Sequence, residues 1–167
     1  QDLLMKAFQF VRSPVKAFVS GTGSLYTHYK QIIEQYGLQD KVKLLGRLHQ
    51  AELLTCYARC LGVFYGPFDE DYGYVTLEAM LSQKPVITCT DSGGTLEFVQ
   101  HGRTGYCIEP DPRQLAEAID ELYANQDRAA ELGRQGLQRY RELEISWERV
   151  VERLVEEVQS SQFKVQS

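Results

Sequence analysis

Two hydrophobic rhythms alternate along this chain. Short, nearly continuous apolar runs are closed by glycine or polar turns at Val15–Ser20 (before Gly21-Thr22-Gly23), Val42–Leu45 (before Gly46), Leu61–Tyr65, Pro85–Thr90 and Thr104–Ile108. Between them the period lengthens to that of a helix, predicting helices over Leu25–Tyr36 (stopped by Gly37), Gln50–Ala58, Tyr74–Ser82 and Thr95–Gln100 (closed by His101-Gly102). Gln1–Phe8 already reads as helix. Apolar strands separated by helices predict an α/β fold, a parallel sheet with helices on both faces.

Three more helices are expected after the last strand. Asp111-Pro112 supplies an N-cap followed by proline at the first helical position, and Leu115, Ala118, Ile119 and Leu122 then share one face. Asp127 is expected to cap the next helix. Ser146 is expected to cap the last, with Ile145 and Val150 as a hydrophobic staple. Trp147, Val150, Val151, Leu154, Val155 and Val158 form its apolar stripe, and residues 160–167 read as a tail after a single domain over 1–159.

Composition narrows the function. At 167 residues the chain can bury a real core. A net charge of −5 argues against nucleic acid, which calls for a basic face, but not against a small phosphorylated ligand held by local N–H groups. No apolar run approaches the ~20 residues of a membrane span, and no signal peptide is read at the start. Cys56, Cys60, Cys89 and Cys107 are scattered and lack a histidine at metal-ligand spacing, so they read as reduced thiols of a cytoplasmic protein. Peripheral association of the full protein with a membrane stays open.

The candidate chemistry gathers at the carboxyl ends of the strands, where open parallel sheets bind ligands. These ends carry Gly21-Thr22-Gly23-Ser24, Gly46-Arg47, Gly66-Pro67-Phe68-Asp69-Glu70 and Asp91-Ser92-Gly93-Gly94. Glu70 and Glu78 stand eight residues apart, the first in a loop and the second inside an otherwise uncharged helix. That helix is expected to be largely buried, so Glu78 needs a partner or an opening. Between the carboxylates, Gly73 allows close approach, and the N–H groups of Tyr74, Val75 and Thr76 suit a phosphate. Arg47 is a candidate cation. Gly21 and Gly23 join the candidate rim on the donor side. Against each reading stands a plain one: a solvated acidic loop at Glu70, an exposed or paired Glu78, an ordinary turn at Asp91–Gly94, an exposed Arg47.

Glu70–Glu78 resembles the E-x7-E motif of retaining GT-B glycosyltransferases of family 4. The similarity runs through Val42-Lys-Leu-Leu-Gly-Arg47, Glu78-Ala79-Met80, Lys84-Pro85-Val86-Ile87, Asp91-Ser-Gly-Gly94, Leu96-Glu97-Phe98-Val99, Gly102-Arg-Thr-Gly105 and Glu109-Pro110-Asp111. It implies a C-terminal Rossmann-like half that binds a nucleoside diphosphate sugar without a required metal or other cofactor. It implies Glu70 beside the transferred sugar in a catalytic role and Glu78 beside the ribose. The phosphates would meet Gly73–Thr76, and the base would lie near Gly46, Arg47 and Leu48. In such enzymes a first strand, an Arg and a Lys that grip the diphosphate, and an N-terminal acceptor domain come earlier. They have no counterpart here, so the chain alone is expected to be inactive. Thr95 stands where proline is frequent. Two other classes stay open: a non-catalytic nucleotide or sugar-phosphate binding module, and an NAD(P)-dependent oxidoreductase domain. The latter is weakened by Tyr26 where a third glycine would be needed.

Overall fold

The computed structural model describes residues 1–145. The expected last helix with its Ser146 cap, its Val150 staple and its stripe from Trp147, the end of the domain at 159 and the tail at 160–167 lie outside the described residues.

The order of elements is α1 (Asp2–Ala7), β1 (Ala17–Ser20), α2 (Tyr26–Gln35), β2 (Val42–Gly46), α3 (Gln50–Arg59), β3 (Val63–Phe64), α4 (Tyr74–Leu81), β4 (Val86–Cys89), α5 (Thr95–Phe98), β5 (Gly105–Ile108), α6 (Pro112–Ala124) and α7 (Gln126–Glu142). Every strand and helix expected up to residue 124 is present, with ends shifted by a few residues. Pro85 has no N–H to give to a ladder, so β4 begins one residue later, while the Pro85 carbonyl accepts from the Val63 amide at 2.9 Å.

All pairing between the strands is parallel. The single sheet expected is instead two, β1–β2 and β3–β4–β5. Among the described residues no strand pairing joins β1 or β2 to the second sheet. The two sheets still share one apolar layer. Met5, Phe8 and Val11 of the α1 region, Ile33 of α2, Val42 of β2, Ile87 and Cys89 of β4, and Leu115, Ile119 and Leu122 of α6 form a continuous buried cluster, with Val19 and Phe64 packed on it. On the other face Tyr57 of α3, Leu77, Ala79 and Met80 of α4, Val86, Phe98 and Val99 form a second cluster.

Coverage differs between the sheets. Strand β4 is buried at every residue, as a central strand with helices on both sides should be. Strand β1 alternates, and Phe18 is 57% exposed. The expectation that both faces are covered therefore fails at β1, because no described helix packs over the face that Phe18 occupies.

Two caps refine the expectations. The Asp111 carboxylate accepts from the Arg113 and Gln114 amides, with Pro112 next to it, as predicted. The cap of α7 is Asn125 and not Asp127. The Asn125 side chain accepts from the Arg128 amide, and Asp127 sits inside the first turn, where its charge meets the positive end of the helix dipole.

Candidate functional site

The loops after β3 and β4 are locked together. The Asp69 amide donates to the Asp91 carbonyl at 2.9 Å, and the Gly94 amide donates to the Glu70 carbonyl at 2.7 Å. Glu70 also bridges Gly93 as a short parallel pair. Only glycine allows this approach: a Cβ on Gly94 would lie 2.2 Å from the Asp71 carbonyl oxygen, and one on Gly93 2.7 Å from that of Glu70. Asp91–Gly94 is thus more than a plain turn, for it is the brace that fixes the backbone of Glu70. The Glu70 side chain is half-buried and accepts a hydrogen bond from the Tyr65 hydroxyl at 3.3 Å. Burial, then the charge and hydrogen bond of Glu70, raise the Tyr65 phenol above its ordinary pKa, so it stays a donor at neutral pH.

Helix α4 begins at Gly73, whose φ of +70° is the left-handed region that glycine enters without strain. Its Cα also abuts the Thr95 hydroxyl, which a Cβ would meet at 2.7 Å. The Thr76 amide donates to the Gly73 carbonyl at 2.9 Å, so it is not available to a ligand as expected. The Tyr74 and Val75 amides have no partner among the described residues and lie at the positive end of the helix. Two hydroxyls close to Gly73, Thr76 Oγ1 and Thr95 Oγ1, are fully buried and unpartnered among the described residues. Tyr74 is exposed and packs on Tyr72 (ring centroids 5.0 Å), which in turn meets Phe98 edge-on at 5.3 Å.

Glu78 corrects the sequence reading. Helix α4 buries Thr76, Leu77, Ala79 and Met80, but Glu78 lies on its exposed side with Tyr74 and Leu81. An uncharged sequence around Glu78 suggested burial all round, whereas only one face of the helix meets the core. Its partner is the Tyr57 hydroxyl of α3, which donates to Glu78 Oε2 at 2.8 Å. Neither Tyr57 nor Tyr65 was singled out by sequence. The available signal was tyrosine on the apolar face of an element, where a buried ring needs an acceptor for its hydroxyl.

The first-sheet loops are tied to each other. The Gly21 amide donates to the Gly46 carbonyl at 2.7 Å, joining the ends of β1 and β2. Gly21 and Gly23 are exposed, Leu48 is half-buried, and Arg47 is exposed with no ion pair among the described residues. No hydrogen bond among the described residues links this group to Glu70–Glu78. Helix α3 makes the connection: it starts behind Gly46-Arg47-Leu48, capped by His49 with Glu52, and ends near Glu78 through Tyr57.

All four cysteines are free, with Cys89 buried and the others half-buried. Among the described residues no group of three or more His, Cys, Asp or Glu is placed to hold a metal ion, and no helix is long and apolar enough to cross a membrane.

Residues 1–139 match the family model for glycosyl transferases group 1. The chain is 35% identical over 117 residues to the alpha-1,3/1,6-mannosyltransferase ALG2 of Homo sapiens, a match that covers 70% of this chain and 28% of that protein. It is 27% identical over 145 residues to the O-antigen chain mannosyltransferase C of Escherichia coli, covering 84% of this chain and 38% of that one. Among solved structures, Anabaena Alr3699/HepE in complex with UDP and glucose superposes with a TM-score of 0.80 at 25% identity, over 96% of this chain and 44% of that one. TarM superposes at 0.85 and 27% identity, over 93% and 31%. The chain thus spans less than half the length of these relatives. With the parallel fold, the paired carboxylates and this match in hand, the chain belongs to the glycosyl transferases group 1 family.

Proposed function

We propose that this chain is the donor-binding half of a glycosyltransferase that moves a hexose from a nucleoside diphosphate sugar to a hydroxyl acceptor with retention of configuration. The observation that carries the reading is local. Two unpaired amides at the start of α4 stand between two carboxylates, each of which accepts a hydrogen bond from a tyrosine hydroxyl. The amides of Tyr74 and Val75, with the helix dipole behind them, take the diphosphate. Glu78 accepts from ribose hydroxyls. Glu70, held by Tyr65 and by the Gly93-Gly94 brace, faces the transferred sugar as the catalytic carboxylate. Gly46, Arg47 and Leu48, with Gly21 and Gly23 beside them, border the base. That HepE is described with UDP, and with UDP-glucose, supports a nucleotide-sugar as ligand.

Charge on the departing diphosphate is met by preorganised N–H groups, which is where transition-state stabilisation is largest in such sites. The reading asks for no metal, so a chelator should leave nucleotide affinity unchanged. The acceptor side and the cations that complete the diphosphate grip belong to the preceding half of the full protein. The first strand that the resemblance implies for this domain would come from the same preceding sequence. The full protein is read as cytoplasmic.

The test is calorimetric titration of the 167-residue chain with UDP, GDP, ADP and their sugars, on wild type and Glu78→Ala, with and without chelator. We expect weak binding of one diphosphate, weaker still in the variant, and no sugar transfer by this chain. Equal binding by wild type and Glu78→Ala would remove the ribose role, and turnover by the isolated chain would refute the division of labour.

A further inference from the structure

Building on the donor-site reading above, we propose that Tyr57 is a positioning residue that fixes the Glu78 carboxylate for the ribose. Glu78 sits on the exposed side of α4, where a glutamate side chain is otherwise free to sample several rotamers. Tyr57 is only 8% exposed. Its ring belongs to the second core cluster, which also holds Leu77 and Met80 with Leu53 and Val63 packed on it, and its hydroxyl lies 2.8 Å from Glu78 Oε2. The phenol is anchored by the core and the carboxylate is not, so the phenol sets the geometry.

The chemistry of the donor matters. Burial first, then the hydrogen bond and charge of Glu78, push the Tyr57 phenol well above its ordinary range. It therefore stays a donor at neutral pH. A lysine or arginine in this place would neutralise Glu78 and compete for its lone pairs. A neutral phenol occupies one lone pair of Oε2 and leaves the charge in place. Oε1 has no partner among the described residues, so it is presented to solvent in a fixed direction. An acceptor held in this way suits a pair of vicinal hydroxyls, each an O–H donor, and its ordering is settled before the ligand arrives.

Helix α3 gives the arrangement a second consequence. The helix that carries Tyr57 begins directly after Gly46-Arg47-Leu48 and is clamped there by the His49–Glu52 capping box. The loop read as bordering the base and the phenol that aims the ribose acceptor thus ride on one rigid element. The spacing between base and ribose contacts is set by α3.

The experiment measures hydroxyl discrimination by ligand-observed NMR, which reads millimolar affinities. The probes are the best binder among UDP, GDP and ADP, and its 2′-deoxy and 3′-deoxy analogues. The proteins are wild type, Tyr57→Phe, Glu78→Ala and the double variant. We expect wild type to prefer the ribose form, Tyr57→Phe to cut that preference by about threefold to tenfold, and Glu78→Ala to abolish it. In the double variant the Tyr57 substitution should cost nothing further, because it acts through Glu78. A purely structural tyrosine would lower the melting temperature and leave the ratio of affinities alone. A Tyr57→Phe variant that keeps full discrimination while Glu78→Ala loses it overturns the proposal and spares the donor-site reading. An unchanged ratio in Glu78→Ala, or no binding of any diphosphate by wild type, overturns both.

Discussion

The two sheets of this chain have the same strand chemistry and different surroundings. Strand β4 is buried throughout, lies between β3 and β5, and its end is braced to the Glu70 loop by two glycines. Strand β1 pairs on one side only among the described residues, alternates in burial and shows Phe18 to solvent. A central parallel strand derives its stability from neighbours on four sides. With one paired neighbour and no described helix over the face of Phe18, the same kind of apolar run keeps its ladder and loses its cover. The second-sheet region holds both carboxylates and the start of α4. The first-sheet region contributes exposed loops joined to the site through α3.

The sharpest way to separate the two regions is a truncation in the better-packed one. Met80 is fully buried in the cluster between α4, β4 and α7. Met80→Ala should lower unfolding free energy by about 2–5 kcal/mol, the transfer loss plus the cavity. Urea denaturation followed by circular dichroism measures it. A loss under about 1 kcal/mol would mean that this half is as loosely held as the other.

The brace gives the next effect. Gly94→Ala puts a Cβ against backbone with nothing flexible to yield, since the Asp71 carbonyl lies 2.2 Å from its ideal position. Forcing the loops apart should cost about 1–3 kcal/mol. It should also weaken binding of a nucleotide-sugar more than of the free diphosphate, because the displaced group is the Glu70 loop. Equal losses for both ligands would detach Glu70 from the sugar.

Much of this architecture is legible in the sequence, and the parts that are not have physical causes. Continuous apolar runs ended by glycine mark the strands, and Asp111-Pro112 marks its helix, because these signals are local. The split into two sheets is not local: the runs at Val15–Ser20 and Leu61–Tyr65 look alike, and nothing in either reports which neighbour is present. Apolar neighbours of Glu78 predict a largely buried α4, yet helical spacing puts Glu78 on the exposed face, away from Leu77 and Met80. Its tyrosine partner comes from a residue 21 positions earlier, a distance over which no spacing rule operates. The cap of α7 falls on Asn125, two residues before the expected Asp127, because placing such a boundary needs the φ and ψ of the junction.

A smaller effect tests how the first region is tethered. The Asp120 carboxylate on α6 accepts from the Arg12 and Ser13 amides, at 3.0 and 2.9 Å, pinning the chain just before β1. Burial alone would raise its pKa, but the hydrogen bonds from Ser13 and Arg12 outweigh this and lower it. A carboxyl with a lowered folded pKa contributes stability above its unfolded value, near 3.9, and that contribution is lost as pH falls through the folded value. Asp120→Asn should therefore cost about 1 kcal/mol at pH 7, a figure discounted because the group is partly exposed. The difference between the two proteins should begin to shrink below about pH 4 and vanish below the folded value. A difference that stays constant as pH falls from about 5 until wild type unfolds would mean that the tether is steric and not ionic.

The smallest effect is the most diagnostic of the comparison. Phe18 is 57% exposed on a strand whose other large apolar neighbour, Val19, points into the shared layer. If its face is open to solvent in this chain, Phe18→Ser changes unfolding free energy by no more than about 0.5 kcal/mol, as surface substitutions do. It should also raise solubility, since an exposed aromatic beside an unpaired strand edge invites association. A loss near 2 kcal/mol would instead show that the face is covered in solution. Repeating the melt over a range of protein concentrations identifies the cover. A melting temperature that rises with concentration in wild type, but not in Phe18→Ser, makes it a second copy of the chain. Concentration independence with a large loss places the cover within the same chain. Either result would close the open face of β1 and erase the contrast with β4, whereas a near-silent substitution leaves that contrast standing.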